Sequence, residues 1–173
     1  MPRKTILSLL QGGDRRTIGR SDQVAAMVAE APDLFPELIE GLWSEDPLVQ
    51  MRVADAAEKV TRKNRELLQP YKGELLGLMA ETEQQELRWH LAAMVPRLEL
   101  NAKQRNLATS LLVGYLEDRS SIVKTFALQG LADLAQDDSS IRPGVIDILR
   151  QATQTGTAAM KARSRKLLRR MEG

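Results

Sequence analysis

Residues 34–60 read LFPELIEGLWSEDPLVQMRVADAAEKV, and this stretch decides the fold. In its first half, apolar residues recur at helical spacing and form one stripe: Leu38, Ile39 and Leu42. Asp46 and Pro47 then begin a second helix, because aspartate caps unpaired N–H groups and proline is tolerated at the first helical position. Val49 and Val53 start the inward stripe of that helix. The stretch therefore predicts a helical hairpin, which needs neighbours to cover its two stripes.

The hairpin pattern recurs along the chain at a nearly constant period. With Val49 as the reference position of the second helix, the equivalents are Leu87, Val123 and Met160, at steps of 38, 36 and 37 residues. A regular period of this kind is typical of helical repeat proteins. We predict a single domain with an N-terminal cap and four repeats, at residues 1–31, 33–63, 70–98, 101–136 and 139–172.

The repeated unit resembles the HEAT family over about residues 33 to 172. LFPELIEGL followed by DPLVQMRVADAAEKV is similar to the family's leucine-rich helix, Asp-Pro turn and V-R-x-x-A-A helix. The resemblance implies a right-handed α-α superhelix of about four helix pairs plus N-terminal capping helices, used as a binding scaffold. It also implies an Asp–Arg ladder between repeats. The ladder column here holds Gln50, Arg88, Lys124 and Lys161, so the first repeat departs from the family pattern.

Composition agrees with an all-α globular chain. Of 173 residues, 43% are hydrophobic and only 3% are aromatic, so aliphatic side chains must build the core. The absence of cysteine excludes disulfides and thiolate chemistry. No apolar run approaches the ~20 residues that span a bilayer, and the apolar segment near the N-terminus is too short for a signal peptide. We therefore expect a cytoplasmic protein, monomeric, with no membrane contact.

Cations recur at equivalent positions of the second helices, which line the concave face in HEAT-like stacks. The columns lie one, three and ten residues after the reference position. Eight of their twelve positions are Lys or Arg and one is acidic, although the whole chain has 25 Lys and Arg against 23 Asp and Glu. The sequence thus predicts a basic binding face. Its candidate residues are Arg52, Lys59, Arg88, His90, Arg97, Lys124, Phe126, Lys161, Arg163 and Arg170.

The segment 12–20, GGDRRTIGR, has the composition of an anion-binding loop. Its glycines allow close backbone approach, and Arg15, Arg16 and Arg20 are suited to a phosphate or a carboxylate. No Lys-Ser/Thr follows the last glycine, so the segment is not a P-loop. The alternative interpretation is a solvated turn whose arginines pair with neighbouring acids.

The last predicted helix, residues 157–171, is strongly basic, since no acid occurs between Asp147 and Glu172. One explanation is a polar terminal repeat that keeps the chain soluble, with late cations complementing the helix dipole. The other is a helix that docks on an anionic partner.

No catalytic, cofactor or metal motif accompanies these features. His90 is the one histidine, and no Cys lies at ligand spacing from it, so we expect neither a metal site nor a cofactor. We expect no enzyme activity, because no carboxylate stands in an apolar setting that predicts a shifted pKa. The leading hypothesis is a non-catalytic scaffold that binds an acidic protein surface through the concave face. The alternative is binding of nucleic acid or another polyanion along the basic face, remotely similar to HEAT-like DNA glycosylases.

Overall fold

A computed structural model of the protein describes residues 5–14 and 16–173. This part of the chain contains helices and no strand, so the all-α prediction is confirmed. Its α-helices are α1 Ser21–Glu30, α2 Phe35–Glu40, α3 Pro47–Thr61, α4 Lys72–Glu81, α5 Gln85–Met94, α6 Ala102–Tyr115, α7 Ser121–Gln136, α8 Arg142–Thr155 and α9 Ala158–Glu172. Short 3-10 helices lie at Ile6–Leu10, Pro32–Leu34, Gly41–Trp43, Arg65–Tyr71 and Val95–Arg97.

The chain divides into two compact units, Met1–Pro70 and Tyr71–Gly173. Each predicted repeat range contains one helix pair: α2 with α3, α4 with α5, α6 with α7, and α8 with α9. The boundary between the units coincides with the predicted start of the second repeat. None of the helices in the described part is both long enough and apolar enough to span a membrane.

The N-terminal unit is built around α3, which packs against α1, α2 and two of the 3-10 segments. Asp46 caps this helix as predicted, since its side chain accepts a hydrogen bond from the Leu48 N–H at 3.0 Å. Gly41 lies where the preceding helix meets α3, and a Cβ there would stand 2.5 Å from Val53 Cγ2. Glycine is therefore required for this close approach.

The helix before α3 is less regular than the apolar stripe predicts. Residues 32–43 form a 3-10 turn, the short α2 and a second 3-10 turn rather than one continuous helix. Pro36 stands at the second position of α2, where its missing N–H is tolerated. The predicted inward stripe is nevertheless buried, because Leu38, Ile39 and Leu42 are each at most 1% exposed.

In the C-terminal unit, α7 packs between α5 and α9, so the three second helices lie in one layer. The first helices cover this layer: α6 packs on α7, and α8 packs on both α7 and α9. Gly130 of α7 lies close to α5, since a Cβ there would be 2.9 Å from the Ala92 carbonyl oxygen. Ala127, one turn earlier, is fully buried. Small residues on α7 therefore allow the close packing of this layer.

Local capping fixes where these helices begin. Asn101 and Gln104 form a reciprocal capping box at the start of α6. Ser120 caps α7 and Thr157 caps α9 through their hydroxyl oxygens. The Ser121 and Thr157 hydroxyls are 2.7 Å apart, so the first turns of α7 and α9 lie side by side.

Candidate binding face

The column ten residues after the reference position contains ion pairs between neighbouring helices. Lys59 of α3 pairs with Asp22 of α1 and with Asp55 at 2.7 Å. Burial alone would lower the pKa of Lys59, but these two carboxylates outweigh it and raise the pKa above its ordinary value. Arg170 of α9 pairs with Asp133 of α7 at 3.1 Å. These candidate cations are therefore matched by acids of the same unit.

Both pairs join residues 37 positions apart, which is the repeat period. Sequence reasoning missed the partners Asp22 and Asp133 because it counted cations within columns instead of comparing equivalent positions of successive helices. An acid followed by a cation one period later is the signal that would have found both pairs. Arg97, the remaining candidate cation of this column, is half-buried in the 3-10 turn after α5.

In the column one residue after the reference, Arg88 bonds to the turn between α4 and α5 and to the turn before α7. Arg88 donates from Nε to the Thr82 carbonyl oxygen at 2.8 Å and from Nη1 to Asp118 Oδ2 at 2.6 Å. Its guanidinium also lies over the Tyr115 ring, 5.2 Å from the centroid. Asp118 belongs to the turn before α7, so Arg88 ties the start of α5 to the turn between α6 and α7.

Asp118 is held as a carboxylate by its surroundings. Burial alone would raise its pKa, but the hydrogen bond from the Ser120 N–H and the charge of Arg88 outweigh burial, so the pKa lies below its ordinary value. The Asp118 side chain is 5% exposed. Arg88 and Asp118 therefore form an ion pair between the predicted second and third repeat ranges.

The other members of this column differ from Arg88. Gln50 donates to the Leu42 carbonyl oxygen at 2.8 Å within its own hairpin. Lys124 and Lys161 are half-buried, and neither forms a hydrogen bond or an ion pair with any other described residue through its side chain. The candidate cations at the starts of α7 and α9 therefore form no direct ion pair, although the charge of Lys124 helps to lower the pKa of Asp118.

The column three residues after the reference is largely closed to a partner. Arg52 is 2% exposed, so its assignment to a binding face is corrected here: it is a buried residue of the N-terminal unit. His90 is also buried, and its Nδ1 lies 2.6 Å from the Glu86 carbonyl oxygen while Trp89 Nε1 donates to its Nε2 at 3.3 Å. Because a carbonyl oxygen only accepts, Nδ1 is the donor in its contact with Glu86.

Phe126 and Arg163 remain half-exposed in the same column. The Arg163 guanidinium lies over the Phe126 ring, 5.8 Å from the centroid, and donates from Nη1 to Gln129 Oε1 at 3.1 Å. Both partners of Arg163 are uncharged, so its charge, unlike that of Arg170, is not neutralised by a carboxylate.

Arg52 organises the segment that was a candidate anion loop. It donates to the carbonyl oxygens of Leu10 at 3.0 Å, Asp14 at 2.9 Å, Thr17 at 3.3 Å, and Gly12. The loop is wrapped around the guanidinium with carbonyl oxygens directed inward. Sequence reasoning missed this role because nothing in the local pattern links Arg52 to a loop about 40 residues earlier.

The backbone conformation of this loop explains why it contains three glycines. Gly12, Gly13 and Gly19 all have positive φ, which side chains rarely adopt. A Cβ at Gly19 would also lie 2.8 Å from Arg52 Cζ, so this glycine stacks directly on the guanidinium. The loop and Arg52 therefore form one interlocked structure.

The two described arginines of the predicted anion loop, Arg16 and Arg20, have different surroundings. Arg16 is exposed and pairs with Asp14, whose pKa is lowered chiefly by the hydrogen bond from the Arg16 N–H. Arg20 is exposed and lines a cavity of about 380 Å³ beside the loop. Arg15 lies outside the described residues.

The basic surface is concentrated on α9. Arg165, Lys166 and Arg169 are exposed, and no described residue forms an ion pair or hydrogen bond with their side chains. We call this set, with Lys161 and Arg163, the α9 patch. Glu172, the one acid of α9, is already paired with Arg150 at 2.7 Å.

Comparison with known proteins adds no identity. No family model matches the chain, and no curated protein matches its sequence. Within residues 5–14 and 16–173, no group of three or more His, Cys, Asp or Glu side chains is placed to hold a metal ion.

Proposed function

We propose that this chain is a non-catalytic, HEAT-like binding scaffold whose C-terminal unit binds an acidic protein surface. The helix pairs at a near-37-residue period support the repeat interpretation, as does the placing of α7 between α5 and α9. In a scaffold of this type the second helices offer the binding surface, and their charges select the partner.

The observation that carries the proposal is the uneven compensation of charge. Lys59, Arg88 and Arg170 are each matched by a carboxylate within their own unit. The five cations of the α9 patch have no carboxylate partner in the described part of the chain. Uncompensated cations on a rigid helix repel one another, so an acidic partner relieves an existing cost as well as adding contacts.

A protein segment fits this surface better than an extended polyanion does. Arg88 of α5 and Arg170 of α9 would have extended a basic track beyond the α9 patch, but they are occupied by Asp118 and Asp133. What remains is the α9 patch together with Lys124 of α7, and a small group of cations suits a local cluster of acidic side chains.

Nucleic acid is the second candidate, and one observation favours it. Phe126 is half-exposed beside Arg163, and an aromatic ring next to a cation is a common platform for stacked bases. If this function holds, binding of a single-stranded oligonucleotide should weaken with salt at a log–log slope of about −0.7 per neutralised phosphate.

The test is capture of partners from native extract with and without nuclease. The variant reverses three cations of the α9 patch, Arg165, Lys166 and Arg169, to glutamate. Its matched control reverses three cations outside the patch, Lys63, Arg65 and Lys72, so that both proteins have the same net charge.

We expect acidic proteins to be retained by the wild type and the control after nuclease, and lost from the α9 variant, with helicity unchanged in all three. Loss of the partners on nuclease treatment would contradict binding of an acidic protein and support binding of nucleic acid. Equal loss from both variants would show that net charge, and not α9, determines binding.

A further inference from the structure

Lys124 occupies the same repeat position as Arg88 but forms no ion pair with a carboxylate in the described part of the chain. Arg88 finds Asp118 in the turn of the next repeat. One period of 37 residues after Asp118 the chain has Thr155, at the end of α8. The hydroxyl contact between Ser121 and Thr157 brings the first turn of α7 against the α8–α9 turn. The fourth repeat therefore presents a neutral turn where the third presents an acid.

A cavity lies beside Thr155, the position at which the fourth repeat lacks the acid. A cavity of about 200 Å³ opens beside this turn, and Thr155 is one of its lining residues. Most of the others are apolar, among them Leu128, one helical turn after Lys124, together with Ile148 and Met160. The cavity is large enough for an aliphatic side chain, and its lining would bury it favourably.

The charges of Lys124, Lys161 and Glu117 define which ligand would fit, and of these three residues Glu117 lines the cavity. Lys124 is close enough to Asp118 to help lower the pKa of that carboxyl, but Asp118 is already engaged by Arg88 and the Ser120 N–H. Lys161 follows the cavity residue Met160 and is likewise uncompensated. Glu117 also lines the cavity and opposes an incoming acid.

We propose that this gap between the third and fourth repeats is a docking point for an acidic peptide segment. One carboxylate of the segment pairs with Lys124 in the place that Asp118 takes beside Arg88, and a neighbouring aliphatic side chain enters the cavity. The proposal rests on the function proposed above, since it names the place at which the acidic partner binds.

The probe is a fluorescein-labelled peptide with one leucine flanked on both sides by aspartates, measured by anisotropy at about 50 mM salt. Lys124→Met should weaken its binding about tenfold, the loss typical of one charge-assisted contact. Lys103→Met, an exposed lysine of α6 without an ion pair in the described structure, is the control and should leave affinity unchanged. Replacing the leucine of the peptide by glycine should cost a further tenfold or so, because the cavity is then unfilled.

A second pair of variants tests the position itself. Thr155→Asp supplies the missing carboxylate from within the chain, so it should compete with the peptide and weaken binding about tenfold without removing any cation. Gln154→Asp makes the same charge change at the neighbouring exposed position and should have a much smaller effect. Glu117→Gln should strengthen binding, because it removes the opposing acid.

The outcomes separate this site from the function on which it rests. If Thr155→Asp and Gln154→Asp weaken binding equally, or if Lys124→Met has no effect, the docking point is wrong. If binding then depends only on Arg165, Lys166 and Arg169, the acidic-partner function stands without this site. Failure of the wild type to bind the peptide overturns the site, while preferential binding of a single-stranded oligonucleotide to the same residues overturns both proposals.

Discussion

Replacing Arg52 by methionine should destabilise the N-terminal unit by about 3 kcal/mol. The Leu10 carbonyl accepts a buried hydrogen bond from Arg52, and leaving such an acceptor unpaired costs about 1–3 kcal/mol. The three partly buried carbonyls of the loop can regain water, so each loses only a net hydrogen bond of roughly 0.5–1 kcal/mol. Relief from burying the guanidinium charge offsets part of this sum.

The effect is measurable by urea unfolding followed by circular dichroism. With a slope of about 2 kcal/mol/M, a loss of about 3 kcal/mol shifts the midpoint by roughly 1.5 M. Because the chain has two compact units, hydrogen exchange should show the loss in residues 6–14 and α1 rather than in α7. Arg52→Lys keeps the charge but lacks the planar fork, so it should fall between the wild type and the methionine variant.

The matched control is Arg20→Met, which removes an exposed arginine of the same loop and should shift the midpoint by less than about 0.3 M. Similar midpoints for Arg52→Met and the wild type would refute the view that Arg52 holds the loop. A uniform loss of protection across both units would show that the effect is not local.

Three further changes test other contacts by urea unfolding. Asp118→Asn should lower the free energy of unfolding by about 1–2 kcal/mol at pH 7. Because the pKa of Asp118 is lowered in the folded state, the stability difference between wild type and variant should shrink only as pH falls below the ordinary value of 3.8. A stability difference that stays constant down to pH 2 would contradict this. Gly19→Ala should lower the free energy of unfolding by about 2 kcal/mol or more, since it combines positive φ with a clash against Arg52. Gly12→Ala has positive φ but open space around the new methyl group, so it should cost about 1 kcal/mol. Equal losses of stability would mean that the clash at position 19 relaxes. Ala127→Leu should cost roughly 1–3 kcal/mol through overpacking, and unchanged stability would place that side chain at the surface.

Features set by near neighbours in the sequence were predicted well. The all-α class, the stripe of Leu38, Ile39 and Leu42, and the cap at Asp46 all depend on contacts within a few residues or on a regular apolar spacing. The break-up of the first predicted helix into 3-10 and α segments was missed, since close approach at Gly41 depends on α3.

The roles of the charged residues depended on partners about one repeat away. Arg52 and Arg88 both read as exposed cations from helical position alone, yet one is buried under a loop and the other is tied to Asp118. The partner of a charged side chain depends on which helix packs beside it, and the apolar periodicity of the sequence does not predict which residues of that helix will be in contact. The α9 patch was recognisable beforehand because it depends on the absence of acids in one continuous stretch.

The 37-residue ion pairs also bear on how such a chain can lengthen in evolution. If the hairpin containing α3 were copied in tandem, the first Lys59 would keep Asp22, but the second Lys59 would face the first, so two cations would oppose each other. A duplicate of the α9 hairpin would bring Arg170 against Arg170 in the same way. Growth by copying these hairpins therefore requires a compensating change to an acid in one of the copies.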